Sequence, residues 1–250
     1  MSEAAGTAPM VLARGLRKTY RDPERGTFEA VRGVDLECRP GEVFGLLGPN
    51  GAGKTTTLRM LATILAPTAG TAHIDGIDVT ADPLEARRRL GYLSTSTGLY
   101  PRLTGRETLR WFGELHGLER AEADRRIEDL ARRFDMTEFV DARCEALSTG
   151  QKQKVSTTGL DVLAAGSTID FVEERKRAGT CILLSTHVLA EAERLCDRIG
   201  VIDHGRVIGC GTLEELRAET GQAWLEDVFR ELVRRCGRDV ARRAGAESSK

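Results

Sequence analysis

The stretch Gly48-Pro49-Asn50-Gly51-Ala52-Gly53-Lys54-Thr55-Thr56 fits the pattern G-x-x-x-x-G-K-[ST] and lies between an apolar run, Val43 to Leu47, and a helical pattern. Each residue type has a physical task in such a loop. The glycines let successive backbone N–H groups turn inward on a polyphosphate, the Lys54 ammonium reaches the β- and γ-phosphates, and the Thr55 hydroxyl is placed to ligate Mg²⁺. The loop also opens a helix, whose N-terminal N–H groups and dipole favour an anion. Leu58, Leu61, Ala62 and Leu65 follow the i, i+3, i+4, i+7 spacing of a buried helical face. Together these features predict a strand, a phosphate-binding loop and a helix that bind a nucleotide triphosphate.

The 250 residues, 40% of them hydrophobic, suffice for one α/β domain with a subdomain. A net charge of −1, from 37 Lys+Arg against 38 Asp+Glu, gives no global field to draw the chain to nucleic acid. No apolar run approaches the ~18 residues of a membrane span, and the first ten residues lack the basic start and apolar stretch of a signal peptide. A soluble, cytoplasmic chain is the expectation. Cysteines 38, 144, 181, 196, 210 and 236 are dispersed without a C-x-x-C pair, which reads as reduced thiols rather than a zinc site or disulfide framework.

Ahead of the loop, Met10 to Ala13 and Glu29 to Leu36 read as antiparallel strands around a polar segment, Arg21 to Thr27. Tyr20 closes the first; an aromatic there is placed to stack on a nucleobase or simply to pack at a strand end. After the first helix, Thr71 to Val79 alternates around Asp75-Gly76, a hairpin signal. Arg88 to Leu93 leads towards a further strand, followed by the polar loop Ser94 to Gly98. Thr104-Gly105-Arg106-Glu107 is a capping box, and Ala123, Ile127, Leu130 and Phe134 mark the apolar face of a second helix. Leu147-Ser148-Thr149-Gly150-Gln151 precedes a helical Lys152 to Val155. Asp161 is placed to cap a helix through Val162, Ala165, Ile169 and Val172. Cys181 to Leu184 reads as a short buried strand ending at Ser185-Thr186-His187. Ligands bind at the carboxyl ends of strands in α/β sheets, which makes His187 a site candidate. Ile199 to Ile208 reads as a hairpin, Thr212 to Glu215 as a second capping box, and Trp224 to Val240 as amphipathic.

Taken in order, Tyr20, the loop Gly48 to Thr56, Leu147-Ser148-Thr149-Gly150-Gln151, Gly159-Leu160-Asp161 and His187 resemble the motif set of the ATP-binding subunits of ABC transporters, over roughly residues 10 to 235. The wording around Leu99-Tyr100, Leu103-Thr104 and Ser148 to Lys154 resembles most the sodium- or drug-exporting bacterial subfamily. The resemblance implies an α/β P-loop NTPase sheet with helices, an N-terminal antiparallel β subdomain and a helical signature subdomain. The implied bounds are 10–220 for the ATP-binding domain, about 95–155 for its helical part, and 221–250 for an amphipathic helix and basic tail. Carried over by motif, Tyr20 would stack on adenine, and Gly48 to Thr56 would cradle the phosphates. Thr55 would hold Mg²⁺, and Ser148 and Gly150 would contact the γ-phosphate of an opposite subunit. Asp161 would lie in a loop crossing the dimer interface, and His187 would be the catalytic switch histidine. The implied cofactors are ATP and Mg²⁺. The implied partners are membrane-spanning permease subunits and a second ATP-binding subunit, in a homodimer or a mixed pair, at the inner face of the cell membrane, with no nucleic acid.

The chain departs from this pattern twice. Thr95 stands where the family usually places a glutamine that senses magnesium and the membrane partner. More extensively, Ser156 is followed directly by Thr157-Thr158-Gly159-Leu160-Asp161. The family carries there the rest of a helix and then an apolar strand ending in Asp-Glu, whose Asp holds Mg²⁺ and whose Glu orients the attacking water. Ile199 to Asp203 is a second apolar run ending in Asp, but it follows His187 and lacks the glutamate. A lost strand is expected to strip backbone partners from its neighbours and open a gap in the core. Two alternatives follow: a form that binds ATP without hydrolysing it, and a soluble ABC-type ATPase of ribosomes or DNA. The single cassette and near-zero net charge disfavour the latter. Arg234, Arg235, Arg238, Arg242 and Arg243 at the end form either a solvated face or a contact for anionic lipid.

Overall fold

The computed structural model describes residues 8–23, 26–92, 99–115, 117–161, 168–186 and 189–247; of 153, 157–161, 168–171 and 238–247 it gives the backbone course alone. Thr95 and His187 lie outside the described residues. The chain divides into two units, Met1–Leu90 with Arg175–Lys250, and Gly91–Glu174.

The first unit begins with β1 (Val11–Asp22) and β2 (Gly26–Cys38), antiparallel with Val11 opposite Cys38 and Tyr20 opposite Phe28. Both strands are longer than the apolar alternation suggests, because backbone pairing runs on through the polar residues up to Asp22 and from Gly26. β3 (Val43–Leu47) is buried at every position, and α1 (Lys54–Leu61) follows the phosphate loop. β4 (Ala69–Ile74) and β5 (Ile77–Asp78) form the expected hairpin. Asp75 and Gly76 take φ of 49° and 77°, the left-handed pair that a tight two-residue turn requires. α2 (Pro83–Arg88) is capped by Asp82, whose side chain accepts the Glu85 N–H. Of the segment expected to lead into a further strand, residues 90–92 are irregular, and residues 93–98, with the polar loop expected at Ser94 to Gly98, lie outside the described residues.

In the second unit, α3 (Gly105–Leu115) and α4 (Arg120–Arg133) pack with α5 (Thr149–Asp161) around Leu109, Ile127, Leu130, Phe134, Met136 and Val155. Thr104 and Glu107 make both bonds of the predicted capping box, at 2.8 and 3.1 Å. Arg106 ties this unit's surface together, its guanidinium meeting Asp141 and Glu128 at 2.6 Å each. α5 corrects the sequence reading. Gly159-Leu160-Asp161 are its last turn, not a loop; Val162 and Ala165, expected in the helix after Asp161, lie outside the described residues, and α6 is described over Thr168–Arg177. Each added residue gains a backbone bond once a helix is nucleated, so Thr157 to Asp161 continue it despite modest propensity.

The rest of the first unit comprises β6 (Ile182–Ser185), α7 (Leu189–Leu195), β7 (Arg198–Asp203), β8 (Arg206–Gly211), α8 (Leu213–Thr220) and α9 (Leu225–Glu247). Thr212 caps α8 in the predicted reciprocal box with Glu215. The strands form two sheets, β2-β1-β4-β5 and β6-β3-β7-β8. β3 runs parallel to both neighbours, with Val43 opposite Ile182 and Leu47 opposite Val201. β6 was expected to be buried, yet all four of its residues are half-exposed. It ends its sheet, and among the described residues no strand covers its outer edge. One core lies between the first sheet, α1 and β3, around Leu16, Val34, Phe44, Leu46 and Met60. A second joins β7 to α8 and α9 through Ile199, Val201, Leu216, Val228 and Leu232.

Candidate nucleotide site

The phosphate loop leaves β3 with Gly48 and enters α1 at Lys54, and its glycines are required by space and by backbone angle. A Cβ on Gly48 would fall on the Ile202 carbonyl oxygen of β7. Gly51 and Gly53 take φ of 81° and 106°, and a Cβ on Gly53 would lie 2.6 Å from the Ala30 carbonyl of β2. Ala52 is buried and anchors the loop, whereas Pro49, Asn50 and Gly51 face solvent. The hairpin between β7 and β8 braces the loop from behind. Gly205 N–H donates to the Ala52 carbonyl at 2.9 Å, and Arg32 N–H of β2 donates to the Gly205 carbonyl at 2.7 Å. His204 and Gly205 turn that hairpin with φ of 45° and 77°.

Lys54 folds back over the loop, its ammonium donating to the Gly48 carbonyl and, at 2.9 Å, to the Pro49 carbonyl. Burial pushes this ammonium below the usual lysine range. A partly desolvated cation held by two carbonyls gains from an incoming anion, and the loop N–H groups turn to the same place. These residues fit a triphosphate. For Mg²⁺ the donor set is narrower: Thr55 is exposed at the start of α1. Among the described residues no cluster of three or more His, Cys, Asp or Glu is disposed to hold a metal. Asp203 is buried at the end of β7, but its carboxylate accepts the His204 N–H at 3.0 Å and pairs with His204 Nδ1 at 2.9 Å.

Tyr20, at the far end of β1, is half-buried and stacks on Phe28. In the second unit Leu147 is buried in the helical core, and Ser148, Thr149 and Gly150 are exposed at the start of α5. Ser148 Oγ accepts the Gln151 N–H at 3.3 Å and Gln151 Oε1 accepts the Ser148 N–H at 2.8 Å, a capping box with glutamine in the glutamate position. Gly150 has open space where a side chain would stand. The loop residues 48–56 thus come together in the first unit, Ser148 and Gly150 belong to the second, and Asp161 ends α5.

A family model described as ABC transporter matches residues 31–160. The ATP-binding protein NatA of Bacillus subtilis is 39% identical over 225 residues, covering 83% of this chain and 91% of NatA. The chain belongs to the ABC transporter family. Among other relatives of this ABC subunit, the daunorubicin/doxorubicin resistance ATP-binding protein DrrA of Streptomyces peucetius is 41% identical, covering 83% of this chain and 66% of DrrA. The Nod factor export ATP-binding protein I of Ralstonia nicotianae is 37% identical, covering 84% and 70%. A solved structure described as the ATP-binding subunit of an ABC transporter superposes with a TM-score of 0.79 at 30% identity, covering 90% of this chain and 99% of its own. The protein is accordingly an ATP-binding subunit of an ABC transporter with the P-loop α/β fold. The NatA alignment also carries a length difference. Its 225 positions take in 83% of 250 residues, about 208, so about 17 positions of NatA's stretch have no counterpart in this ABC chain.

Proposed function

We propose that this ATP-binding subunit works beneath separate membrane-spanning permease subunits, at the inner face of the membrane, in an export system of the kind its relatives' names describe. The observation that carries the reading is the intact phosphate loop, with its required glycines and the folded-back Lys54, in a chain of this family. Among the described residues no helix is long and apolar enough to cross a membrane, so transport requires a partner that does. On this reading the loop amides and Lys54 hold the triphosphate, and Lys54 exchanges its two carbonyl partners for phosphate oxygens. The Thr55 hydroxyl would contribute to holding Mg²⁺, which supplies charge neutralisation at the phosphates. A second ATP-binding subunit packs head-to-tail, and the exposed Ser148 and Gly150 at the start of α5 meet the phosphates held by that subunit. Helix N-termini with open glycine positions suit this task. Asp161 would lie near that contact, and His187 would be the histidine at the γ-phosphate. Co-purification from native membranes tests the assignment: a protein found wholly in the soluble fraction with ribosomes or DNA refutes it.

A second reading, that the subunit binds ATP but turns it over very slowly, is supported by a specific observation. Ser156 and Thr157 are contiguous where the family carries a helix end and a strand closing in Asp-Glu. The shortfall of about 17 positions against NatA matches one mean helix plus one strand in length. The uncovered edge of β6 is where a strand of that sheet would be missed. Phosphoryl transfer depends on positioning and charge stabilisation, and removal of one preorganised group typically costs ~10²–10³-fold. Phosphate release should be compared with a variant carrying the family's block inserted after Ser156, after both are shown folded by circular dichroism. A rate at least ~10²-fold higher in the variant is expected. Equal rates would place the catalytic carboxylate elsewhere in the chain, with Asp161 and Asp203 the first to substitute.

A further inference from the structure

Two of the six cysteines, far apart in sequence, meet in the fold. Cys38 closes β2, and Cys181 stands one residue before β6, by the end of β3 opposite the phosphate loop. Backbone bonds fix this approach: Gly41 N–H donates to the Gly179 carbonyl at 2.9 Å, and Ile182 N–H donates to the Glu42 carbonyl at 2.8 Å. Cys38 is fully buried in the core between the first sheet, α1 and β3, and Cys181, half-buried, packs against that core. The Cys38 thiol donates to the Cys181 sulfur, and this bond holds the Cys181 thiol below its usual range while Cys38 is pushed up. The Glu42 carboxylate opposes the shift at Cys181 but is itself paired with Arg198 at 3.0 Å. Other cysteines are placed differently. Cys144 meets Thr108 Oγ1 at 3.7 Å, Cys210 accepts from Arg198 at 3.6 Å, and burial pushes the Cys196 thiol up to about 11. The thiolate is the reactive form of cysteine, and a partly accessible one beside a second thiol is the arrangement that oxidation converts to a disulfide.

We propose that Cys38 and Cys181 form a reversible redox pair, which hydrogen peroxide closes to a disulfide and a dithiol reductant reopens. The Cys181 thiolate attacks one peroxide oxygen, the O–O bond breaks, and the departing hydroxide takes a proton to leave as water, with Cys181 now a sulfenic acid. The Cys38 sulfur then attacks the Cys181 sulfur, the S–O bond breaks, and the Cys38 proton leaves with the hydroxide as a second water. The two thiols together lose the two electrons that the peroxide gains. Closure joins the end of β2 covalently to the start of β6, a strand that among the described residues pairs with β3 alone. A cross-link between residues distant in sequence restricts the unfolded chain, so the oxidised form should unfold at higher urea than the reduced one. The test treats the full chain briefly with dilute hydrogen peroxide under native conditions, blocks free thiols by alkylation and maps the peptides. Titratable thiols are expected to fall from six to four, with the Cys38 and Cys181 peptides joined, and dithiothreitol to restore all six. In Cys38→Ser, dimedone should trap the Cys181 sulfenic acid; Cys210→Ser should still form the link. Mapping of the wild type stands even where a variant fails to fold. A link that is absent, that forms only in urea or that runs from Cys210 instead overturns the proposal, as does an oxidised form that unfolds at no higher urea than the reduced one.

Discussion

Replacing Lys54 by methionine separates what this residue does for the fold from what it does for the nucleotide. In the free protein its ammonium is partly desolvated and bonded to the Gly48 and Pro49 carbonyls. A lysine whose folded pKa is lowered disfavours its own charged form in the folded state. That penalty is fully present below the folded pKa and disappears as pH rises past the unfolded value. Lys54→Met removes the penalty along with the two carbonyl bonds, and water replaces the ammonium at the exposed Pro49. The free variant should therefore melt within a few degrees of the wild type. Binding should behave differently, because a charge-assisted contact of about 1.5–3 kcal/mol is lost, a rise in Kd of roughly 10- to 150-fold. With ATP at a hundred times the wild-type Kd, the wild type gains about 2.7 kcal/mol and the variant about 0.3–1.4 kcal/mol. For a chain of this size the wild-type gain corresponds to a rise in Tm of about 5–10 °C. Thermal melts with and without ATP read it directly. An ATP-induced shift as large in Lys54→Met as in wild type would remove Lys54 from the phosphate site.

Gly48→Ala should disrupt the loop from below, since the added Cβ has to displace the Ile202 carbonyl of a buried strand; weaker ATP binding with a lowered Tm is expected, and wild-type values for both would refute the packing argument. Arg106→Met should cost under about 1 kcal/mol at pH 7, because both of its carboxylate partners are largely exposed. Arg106 holds the Asp141 carboxyl below its usual range. This contribution is present above the unfolded value near 3.9 and lost as pH falls through the folded one, so the gap between variant and wild type in urea melts should close on acidification. Thr104→Ala, removing the cap of α3, should lower stability by about 1 kcal/mol in the same melts.

What the sequence discloses is what neighbouring residues decide. Asp75-Gly76 and His204-Gly205 announce their hairpins because positive φ is available to few residue types, and Thr104 with Glu107 and Thr212 with Glu215 announce helix starts because both partners lie within one turn. Phosphate chemistry is legible for the same reason, being concentrated in nine consecutive residues. The misread segments depend on partners distant in sequence. Residues 90–92 carry strand-like composition, but a strand also needs a partner, and they pair with none of the described strands. The burial expected of β6 likewise depends on what flanks it, and Gly159 to Asp161 follow the helix that precedes them instead of the motif they spell.

The loss proposed after Ser156 bears on which half of the activity the fold would keep. β3 retains both of its parallel neighbours, each paired over four residues, so the strand that presents the phosphate loop lacks no backbone partner. The loop is further fixed by contacts far in sequence from Ser156: Gly205 to Ala52, Ile202 against Gly48, and Ala30 beside Gly53. The half-exposed residues of β6 lie at the end of the sheet, on the strand next to β3. A triphosphate site of this kind tolerates loss at that edge because its cradle is made of backbone groups held by β2, β3 and β7. Turnover has no such reserve, since it needs a carboxylate at a defined point and Asp203 is already engaged by His204. If the proposed loss after Ser156 holds, binding and hydrolysis are separable, and the expectation is ATP affinity governed by Lys54 alongside a phosphate-release rate that rises when the family's block is inserted.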